Sequence, residues 1–481
     1  MISAAQFSTS ASAGKHWVAI DGSVYDVSSW CHAHPGGQLV LLHSAARDAS
    51  EAFHAYHPAW VTHRLPAFKI GQLATALPLP GVSASHPTPY PTTLSSTANK
   101  QVVDEINLGG RKSTQQHTGA NVDRLKQVQR ALEAQGLFTT SAGFYSKLAL
   151  GCLACLALAI WCVVHQYISL GALLLGLFWQ QVAFVGHDAG HNAVAHNSKY
   201  DGYIGLLVNA CIGIGPSWWK ATHNVHHLVV NSVDCDPDIQ FMPLLAISPR
   251  FFTPLFSRYH NALLEFDGAA RVLIPYQHFT FIPLLMVAKF GLYLQSMKQL
   301  MHGHCYINRT WEACTQLLFF AWNVALLWCV QGWTARLQLL LMSHAAFFLL
   351  HLQICLSHFS QPTFEGLPDG DQSWLITQVN GTMNWSCPAW LDWLHGGLQF
   401  QIEHHLFPSL PRHNLRQASL LVRPLCQDMG LPYHCPSFFG AIQETLATLK
   451  NAADAAAKFT ACTTHQGFSN SKTWEVITSA G

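Results

Sequence analysis

The sequence predicts a small α+β domain followed by an all-α polytopic membrane domain. The membrane domain is expected to have two transmembrane hairpins (four spans), interfacial helices and a cytosolic histidine-rich cap. Half of the 481 residues are apolar and only 11% are charged, whereas soluble domains carry roughly 25% charged residues. Four apolar runs approach the length of about 20 residues that a spanning helix requires. Histidine is the third signal, since its 29 copies outnumber the 26 lysines and arginines and the 25 acidic residues.

Composition divides the chain into four regions. They are a small soluble domain at residues 7–75, a linker at 76–120, a membrane domain at 121–415 and a C-terminal cytosolic region at 416–481. In the first region the pair Asp21-Gly22 joins two short strand-like pieces and therefore predicts a hairpin. The linker is rich in Pro, Ser and Thr, a composition that cannot form a core. The net charge of +1 gives no reason to expect nucleic acid as a partner.

The membrane domain is predicted to enter the bilayer as two helical hairpins. The first joins residues 148–165 to 170–186, and the second joins 314–330 to 337–356. Lysine and arginine concentrate between and after these pairs, so we expect both hairpins to enter from the cytosol and return to it. A fifth apolar run, 279–295, is interrupted by Pro283 and Lys289. Because both hairpins begin and end in the cytosol, a single further crossing between them is excluded, and this run is expected to be interfacial or re-entrant. Residues 121–137 predict an amphipathic helix at the membrane surface.

Two histidine motifs in the first region have the pattern of a haem site. His34-Pro35-Gly36-Gly37 follows the predicted hairpin, and the run 48–57 ends in a second histidine. A six-coordinate haem iron takes one imidazole from each face, and glycine allows the backbone to approach the haem edge closely. These motifs resemble the cytochrome-b5-like haem domain over residues 14–75. The resemblance implies haem b with His34 and His57 as axial ligands. The other histidines of this region are expected to be surface or capping residues.

Three histidine boxes adjoin the predicted spans. They are His187-Asp188-Ala189-Gly190-His191, His223-Asn224-Val225-His226-His227 and Gln401-Ile402-Glu403-His404-His405. Positions i, i+3 and i+4 share one face of a helix, so each box directs its imidazoles at one point. Imidazole suits iron, copper and zinc, but seven histidines exceed the ligands of a single zinc site. The boxes therefore predict two non-haem iron ions. The zinc-protease pattern fails because it requires Glu at the second position.

The boxes resemble those of membrane fatty-acid desaturases, with similarity over about residues 140–415. Gln401 in place of the first histidine of the third box, together with the N-terminal haem domain, is similar to the front-end subfamily. Surrounding motifs agree, namely Trp218-Trp219-Lys220, Asp236-Pro237-Asp238, Tyr276-Gln277-His278 and Gly396-Gly397-Leu398. The resemblance implies that oxygen and haem-delivered electrons introduce a cis double bond between an existing one and the carboxyl end of a polyunsaturated chain. A delta-5 or delta-6 position is preferred.

The resemblance also implies partners and a location. The substrate is expected to be a membrane lipid or acyl-CoA, and the electron donor an NADH-cytochrome-b5-type reductase. We expect an integral protein of the endoplasmic reticulum membrane, with the haem domain and the boxes cytosolic and a plastid membrane as the alternative. A sphingolipid long-chain-base delta-8 desaturase and a di-iron fatty-acyl hydroxylase share this layout and stay open. A membrane-anchored haem electron carrier is the alternative from another class.

Two irons need more donors than seven histidines supply, because positions must stay open for oxygen. The amide of Gln401 is a poor iron donor and is expected to orient a bound water instead. The additional imidazole should come from the cytosolic end of a span. His358 directly follows the last predicted span, and His395, six residues before Gln401, is its rival. The related desaturases favour His358. Asp188, Asp238 and Glu403 are the candidate acceptors that would orient ligand imidazoles.

Overall fold

The structure, a computed structural model, describes residues 1–74, 118–368 and 373–463. Most of the predicted linker and the last part of the predicted C-terminal region lie outside these residues. The described chain is mainly helical, with a three-stranded sheet near the N-terminus and a two-stranded sheet formed by Leu255–Ser257 and Ala262–Leu264. The predicted fold class, a small α+β domain followed by a helical membrane domain, is confirmed.

The N-terminal domain forms around the predicted hairpin. The strands Trp17–Ile20 and Ser23–Asp26 pair in antiparallel fashion, and Lys69–Gln72 pairs with the second of them. Asp21 and Gly22 both have positive φ, at 48° and 72°, which a tight two-residue turn of this kind requires. The helices and 3-10 helices of this domain are Ala4–Ser8, Cys31–Ala33, Gln38–Ser44, Ser50–Tyr56 and Ala59–Phe68. Helices and sheet bury a small core against one another.

The membrane domain is an assembly of helices that begins after the linker. Its long helices are Thr118–Ala134, Ala142–Val164, Ile168–Gly190, Ser198–Ile212, Pro216–Val229, Gln277–His302, Arg309–Trp328, Trp333–Ala346, Leu415–Asp428 and Phe438–Thr463. Short helices complete it, namely Gly268–Leu273, Phe348–Leu356, Trp374–Asn380, Asp392–His395 and Gln401–Leu406, with 3-10 turns such as Pro237–Ile239, Pro249–Phe252 and Ile274–Tyr276 between elements. The final helix packs into the main core through Ala441, Leu449 and Ala456.

Among the described residues, four helical segments are long and apolar enough to cross a membrane. They are Ala142–Val164, Ile168–Gly190, Gly268–His302 and Trp333–Leu356. Three of these contain predicted spans, but Gly268–His302 contains the run that was expected to be interfacial or re-entrant. Its lysine does not face lipid, because Lys289 is buried with its Nζ 3.5 Å from the ring centroid of Trp179.

The third predicted span gives a different result. It lies in the helix Arg309–Trp328, which is not among the four segments. The physical reason is composition, since the helix begins with polar residues that include Arg309, Glu312 and Gln316. Glu312 is buried and accepts hydrogen bonds from the backbone N–H and the hydroxyl of Ser217. The helix Thr118–Ala134 also differs from expectation. Its apolar residues Leu125 and Leu132 are fully buried against protein instead of facing a membrane surface.

The second span and the last span pack closely side by side. Gly176 makes this possible, since a Cβ atom there would lie 2.4 Å from the Cβ of Ala346 and 2.9 Å from the carbonyl oxygen of Ser343. Neither distance is compatible with a side chain at this position. The two helices run in the same direction, because the histidines that follow their C-terminal ends meet in one cluster.

We expect Gly176→Ala to destabilise the protein by about 1–3 kcal/mol, since overpacking forces the two helices apart. Gly151→Ala is the matched control. A Cβ atom at Gly151 meets nothing within 4 Å, so the substitution should be neutral or stabilising by up to about 1 kcal/mol through helix propensity. Thermal unfolding of both variants in the same detergent checks the prediction. Equal midpoints would contradict the close packing.

Candidate metal centre and haem site

The histidine boxes lie at the ends of helices that converge from different parts of the chain. His187 is in the last turn of Ile168–Gly190, and His191 caps that helix. The second box lies on Pro216–Val229, where the proline at the first turn has a favourable φ for helix initiation. The third box forms the short helix Gln401–Leu406. Since all three helix segments meet, box residues far apart in sequence become neighbours.

Eight imidazoles form one continuous cluster. His187, His191, His223 and His404 have candidate ligand nitrogens that all lie within 4.8 Å of one another, and so do His226, His358 and His405. His227 lies between these two groups. Its Nε2 is 3.0 Å from Nε2 of His223 and 3.1 Å from Nε2 of His404, and its ring stacks on His405 with centroids 4.1 Å apart. The structure therefore brings together all eight histidines that the sequence nominated as metal ligands.

Three imidazoles of this cluster are oriented through their Nδ1 atoms. His226 donates to both carboxylate oxygens of Asp236, at 3.0 and 2.9 Å. His405 donates to Oε1 of Gln378 at 2.8 Å, and His358 donates to the carbonyl oxygen of Gly381 at 3.1 Å. A proton fixed on Nδ1 leaves the lone pair on Nε2, the arrangement that second-shell partners impose on metal-bound histidines.

The donor set fits metal ions. The buried Nε2 atoms of His191 and His405 have no hydrogen-bond partner among the described residues, and an unpartnered buried nitrogen is costly unless something else binds it. Two groups of imidazole donors with no thiolate suit iron better than a single structural zinc. The residues present therefore fit two imidazole-bound metal ions close together.

The electrostatics keep most of these imidazoles neutral. Burial lowers the pKa of His223 to about 3, although the nearby Asp238 carboxylate acts in the opposite direction. Burial and the neighbouring imidazoles also hold the pKa values of His191, His227 and His404 well below the usual range. His226 is the exception: burial lowers its pKa, but the carboxylates of Asp236 and Asp238 outweigh this and raise it to about 8. Neutral imidazole is the form that binds metal.

The three acidic residues nominated as orienting groups behave differently from one another. Oδ2 of Asp238 lies 3.5 Å from Nδ1 of His223. Asp188 instead accepts from the hydroxyl of Tyr145 at 2.7 Å and pairs with Arg412, and its nearest contact to His187 is 3.9 Å.

Glu403, the third nominated acid, hydrogen-bonds to no imidazole among the described residues. It accepts from the hydroxyl of Tyr433 at 2.6 Å and the amide of Asn384 at 2.8 Å. Sequence reasoning thus missed Asp236, Gln378 and Gly381. The Asp236-Pro237-Asp238 motif held the signal for the first of them, because either aspartate could have been the acceptor.

The two remaining nominated residues, Gln401 and His395, differ in whether they lie at the imidazole cluster. Gln401 is buried and lines a small cavity together with His187 and His404. His395 lies outside both imidazole groups: its Nδ1 is 3.0 Å from the amide nitrogen of Gln353, and its ring packs against Trp385 and Phe438. The structure therefore places His358, and not its rival, in the cluster.

The haem motifs of the N-terminal domain face each other. The ring centroids of His34 and His57 are 6.0 Å apart, a separation that suits one metal ion between two imidazoles. Nδ1 of His34 donates to the carbonyl of Gly37 at 3.2 Å, and Nδ1 of His57 donates to that of Phe53 at 3.0 Å. Both Nε2 lone pairs therefore remain for a ligand, and the residues fit a haem iron. Burial, with the opposed His57, lowers the pKa of His34 to about 4.

Comparison with known proteins decides the family. A model of the fatty acid desaturase family matches residues 148–437, and a model of the cytochrome b5-like haem/steroid binding domain matches residues 3–74. The chain belongs to the fatty acid desaturase family. The predicted resemblance is thereby confirmed, and this desaturase is an oxidoreductase and an integral membrane protein with a haem-type N-terminal domain.

Curated relatives cover nearly the whole chain. A Delta(8)-fatty-acid desaturase 1 from Arabidopsis thaliana is 35% identical over 92% of this desaturase and 90% of the relative. An acyl-lipid (9-3)-desaturase from Borago officinalis is 34% identical over the same shares. A delta 8-(E)-sphingolipid desaturase from Emericella nidulans is 31% identical over 91% of each chain. The desaturase therefore resembles front-end enzymes over more than nine tenths of its length.

Replacing His34 or His57 by Ala should abolish the bis-imidazole absorption spectrum of the haem. The reason is that each removes one of two facing Nε2 donors. His63→Ala, an exposed histidine of the same domain, is the matched control and should keep the spectrum. Absorption spectra of the three purified variants check this, and an unchanged spectrum for His34→Ala or His57→Ala would overturn the assignment.

His358→Ala should lose iron and activity, while His395→Ala should keep its iron. Both histidines are buried and both hydrogen-bond through Nδ1, so the pair is matched for the general cost of a buried deletion. Only His358 belongs to an imidazole group. Metal analysis of the purified variants provides the measurement. Full iron content in His358→Ala would show that it is not a ligand.

Proposed function

We propose that this desaturase introduces a double bond at the delta-8 position of a sphingolipid long-chain base, with His187, His191, His223, His226, His227, His358, His404 and His405 as the ligands of two iron ions. The observation that supports the chemistry is the eight-imidazole cluster at the ends of two membrane helices. The delta-8 position is supported by the names of the plant and fungal relatives. These names do not clearly favour delta-5 or delta-6, the positions preferred from the sequence, and we therefore propose delta-8 first.

The protein's own residues would prepare the site for this reaction. When bound, the two irons would supply oxygen activation and the haem would supply electrons one at a time. Asp236, Gln378 and Gly381 would hold three imidazoles at a fixed rotation through their Nδ1 hydrogen bonds. Gln401, buried beside His187 and His404, would orient a water or the substrate without occupying a metal position.

An apolar cavity in the membrane region suits a long hydrocarbon chain. It has a volume of about 190 Å³ and is lined by side chains such as Leu175, Phe319 and Leu339. Leu175 precedes His187 by twelve residues of the same helix, which corresponds to roughly 18 Å along its axis. A chain whose tail occupied this cavity would extend from the metal centre into the bilayer core. Fixing the tail would set which carbons lie beside the metals.

A fatty-acyl substrate is the second candidate. The acyl-lipid (9-3)-desaturase relative supports it, because that protein is as similar to this chain as the delta-8 enzymes are. Both substrates offer a long chain with its polar end near the membrane surface. An acyl lipid would then be desaturated between an existing double bond and its carboxyl end. The imidazole cluster would perform the same hydrogen removal in either case.

We further propose that an NADH-cytochrome-b5-type reductase supplies the electrons and that the enzyme resides in the endoplasmic reticulum membrane, with the boxes and the haem domain cytosolic. The cytochrome b5-like domain supports the donor class. The excess of Lys and Arg between the hydrophobic segments supports the orientation. Free cysteines throughout the described residues suit a reducing compartment.

Expression in a yeast host that lacks its own sphingolipid desaturase tests the proposal. We expect delta-8 unsaturated long-chain bases in the lipid extract, as determined by mass spectrometry, and none with the His405→Ala variant. Feeding the same cells a panel of polyunsaturated fatty acids tests the acyl substrate. A new fatty-acid double bond without a change in long-chain bases would favour the second candidate. Hydroxylated products would favour a hydroxylase instead of a desaturase. An unchanged lipid profile in the His405→Ala variant would favour an electron carrier.

A further inference from the structure

The haem domain contacts the helix that bears the second histidine box. Two contacts involve residues that neighbour the haem histidines in sequence. The carbonyl of Gly36, two residues after His34, accepts a hydrogen bond from the amide of Asn224 at 3.0 Å. The hydroxyl of Tyr56, adjacent to His57, donates to the backbone carbonyl of His227 at 2.6 Å. Both haem motifs therefore contact the box directly.

Tyr56 makes the shorter of these two links. Its ring packs edge-on against Trp374, with centroids 5.4 Å apart, and lies 6.3 Å from the imidazole of His227. The indole Nε1 of Trp374 donates to the same carbonyl of His227, at 3.3 Å. Two aromatic side chains thus converge on one backbone atom of a candidate metal ligand. The other end of Tyr56 joins His57 by a single peptide bond.

Additional contacts hold the haem domain in this position. Oε2 of Glu51, which is buried, accepts from the backbone N–H of Leu375 at 2.8 Å. Leu39 and Val40 pack against an apolar cluster that includes Val225 of the box helix. At the edge, Nζ of Lys126 lies 3.2 Å from Oδ1 of Asp21. Docking therefore rests on several independent contacts, and removal of the Tyr56 hydroxyl alone should not abolish it.

We propose that Tyr56 is the electron-transfer bridge between the haem and the metal pair. The path runs from His57 through the peptide bond to Tyr56, across the hydrogen bond to the His227 carbonyl, and along that residue to its imidazole. It consists of covalent bonds and one hydrogen bond of 2.6 Å. This inference rests on the proposed function, because it assigns haem to His57 and iron to His227.

The electron balance is as follows. A flavin-containing NADH reductase would supply the haem with one electron at a time, and the bridge would carry each electron on to the metal pair. Two such transfers occur for each double bond. Two C–H bonds of the chain break and a C=C bond forms, which supplies two further electrons and two hydrogens. With two protons from solvent, dioxygen is reduced to two water molecules. Tyr56 itself is neither oxidised nor reduced in net terms.

Tyr56→Phe provides the test, because it removes the hydroxyl and keeps the ring against Trp374. The His227 carbonyl retains the indole N–H of Trp374, so we expect the variant to fold. Tyr25→Phe makes the same change in the sheet of the haem domain, within an apolar cluster that includes Val18 and Ile20, and is the matched control. Each protein is loaded with haem and iron, reduced anaerobically and mixed with oxygen in the presence of substrate lipid.

Two quantities are measured on these samples. The first is the single-turnover rate of haem reoxidation, by stopped-flow absorption, with metal-depleted protein as background. We expect Tyr56→Phe to slow it by about tenfold or more, since the hydrogen-bonded step of the bridge is lost, and Tyr25→Phe to leave it unchanged. The second is docking, reported by a zero-length carbodiimide cross-link between Asp21 and Lys126, which needs neither haem turnover nor product formation. We expect all three proteins to cross-link equally.

The outcomes are distinct. Slow reoxidation with an intact cross-link supports the bridge. An unchanged rate in Tyr56→Phe overturns it, and so does loss of the cross-link in that variant, because Tyr56 would then be a docking residue. Absence of the cross-link in the unsubstituted protein also overturns it. If the reoxidation rates behave as expected while no delta-8 product forms in yeast, the proposed substrate is wrong, but the assignment of Tyr56 as the bridge is still supported.

Discussion

The arrangement of this desaturase depends on gathering eight imidazoles into one buried cluster. Like-charged neighbours and low dielectric make protonated histidine unfavourable there, and each ring must also be held at a fixed rotation. The chain meets these demands with Nδ1 hydrogen bonds to Asp236, Gln378 and Gly381. The membrane helices have to end at the same level for the boxes to meet. The close approach of two spans at Gly176 therefore helps to position the histidines at the ends of these helices.

Local patterns predicted a large part of this structure. The Asp21-Gly22 turn, the helical form of the second histidine box and the two apolar runs of the first hairpin all depend on residues close in sequence, and the structure has each of them. The resemblance to a known family was equally accessible, since it rests on contiguous motifs. His358 was accessible for a different reason: it follows a hydrophobic run, and the resemblance to related desaturases favoured it over His395.

The sequence could not show which residues distant along the chain become neighbours in the fold. Lys289 looked like an interruption of a span because hydropathy counts its charge and not the ring of Trp179 beneath it. Glu312 shows the converse case, since the apolar run that follows it looks like a span, although the helix also carries buried polar contacts. Asp236 and Asp238 flank one proline, and only the fold shows which carboxylate accepts the hydrogen bond from His226. Contacts between distant segments decided each case.

The position of the haem domain on the second histidine box has a consequence for how tightly the two parts should bind. A bound haem would carry one electron at a time, so each double bond would require the haem domain to be reduced twice. Because both parts belong to one chain, return is intramolecular, and its effective concentration is independent of the protein concentration. Strong association would then slow recharging without improving delivery. A contact built from a few hydrogen bonds and a small apolar patch, as between Tyr56, Asn224, Glu51 and their partners, suits a domain that leaves and comes back on every cycle.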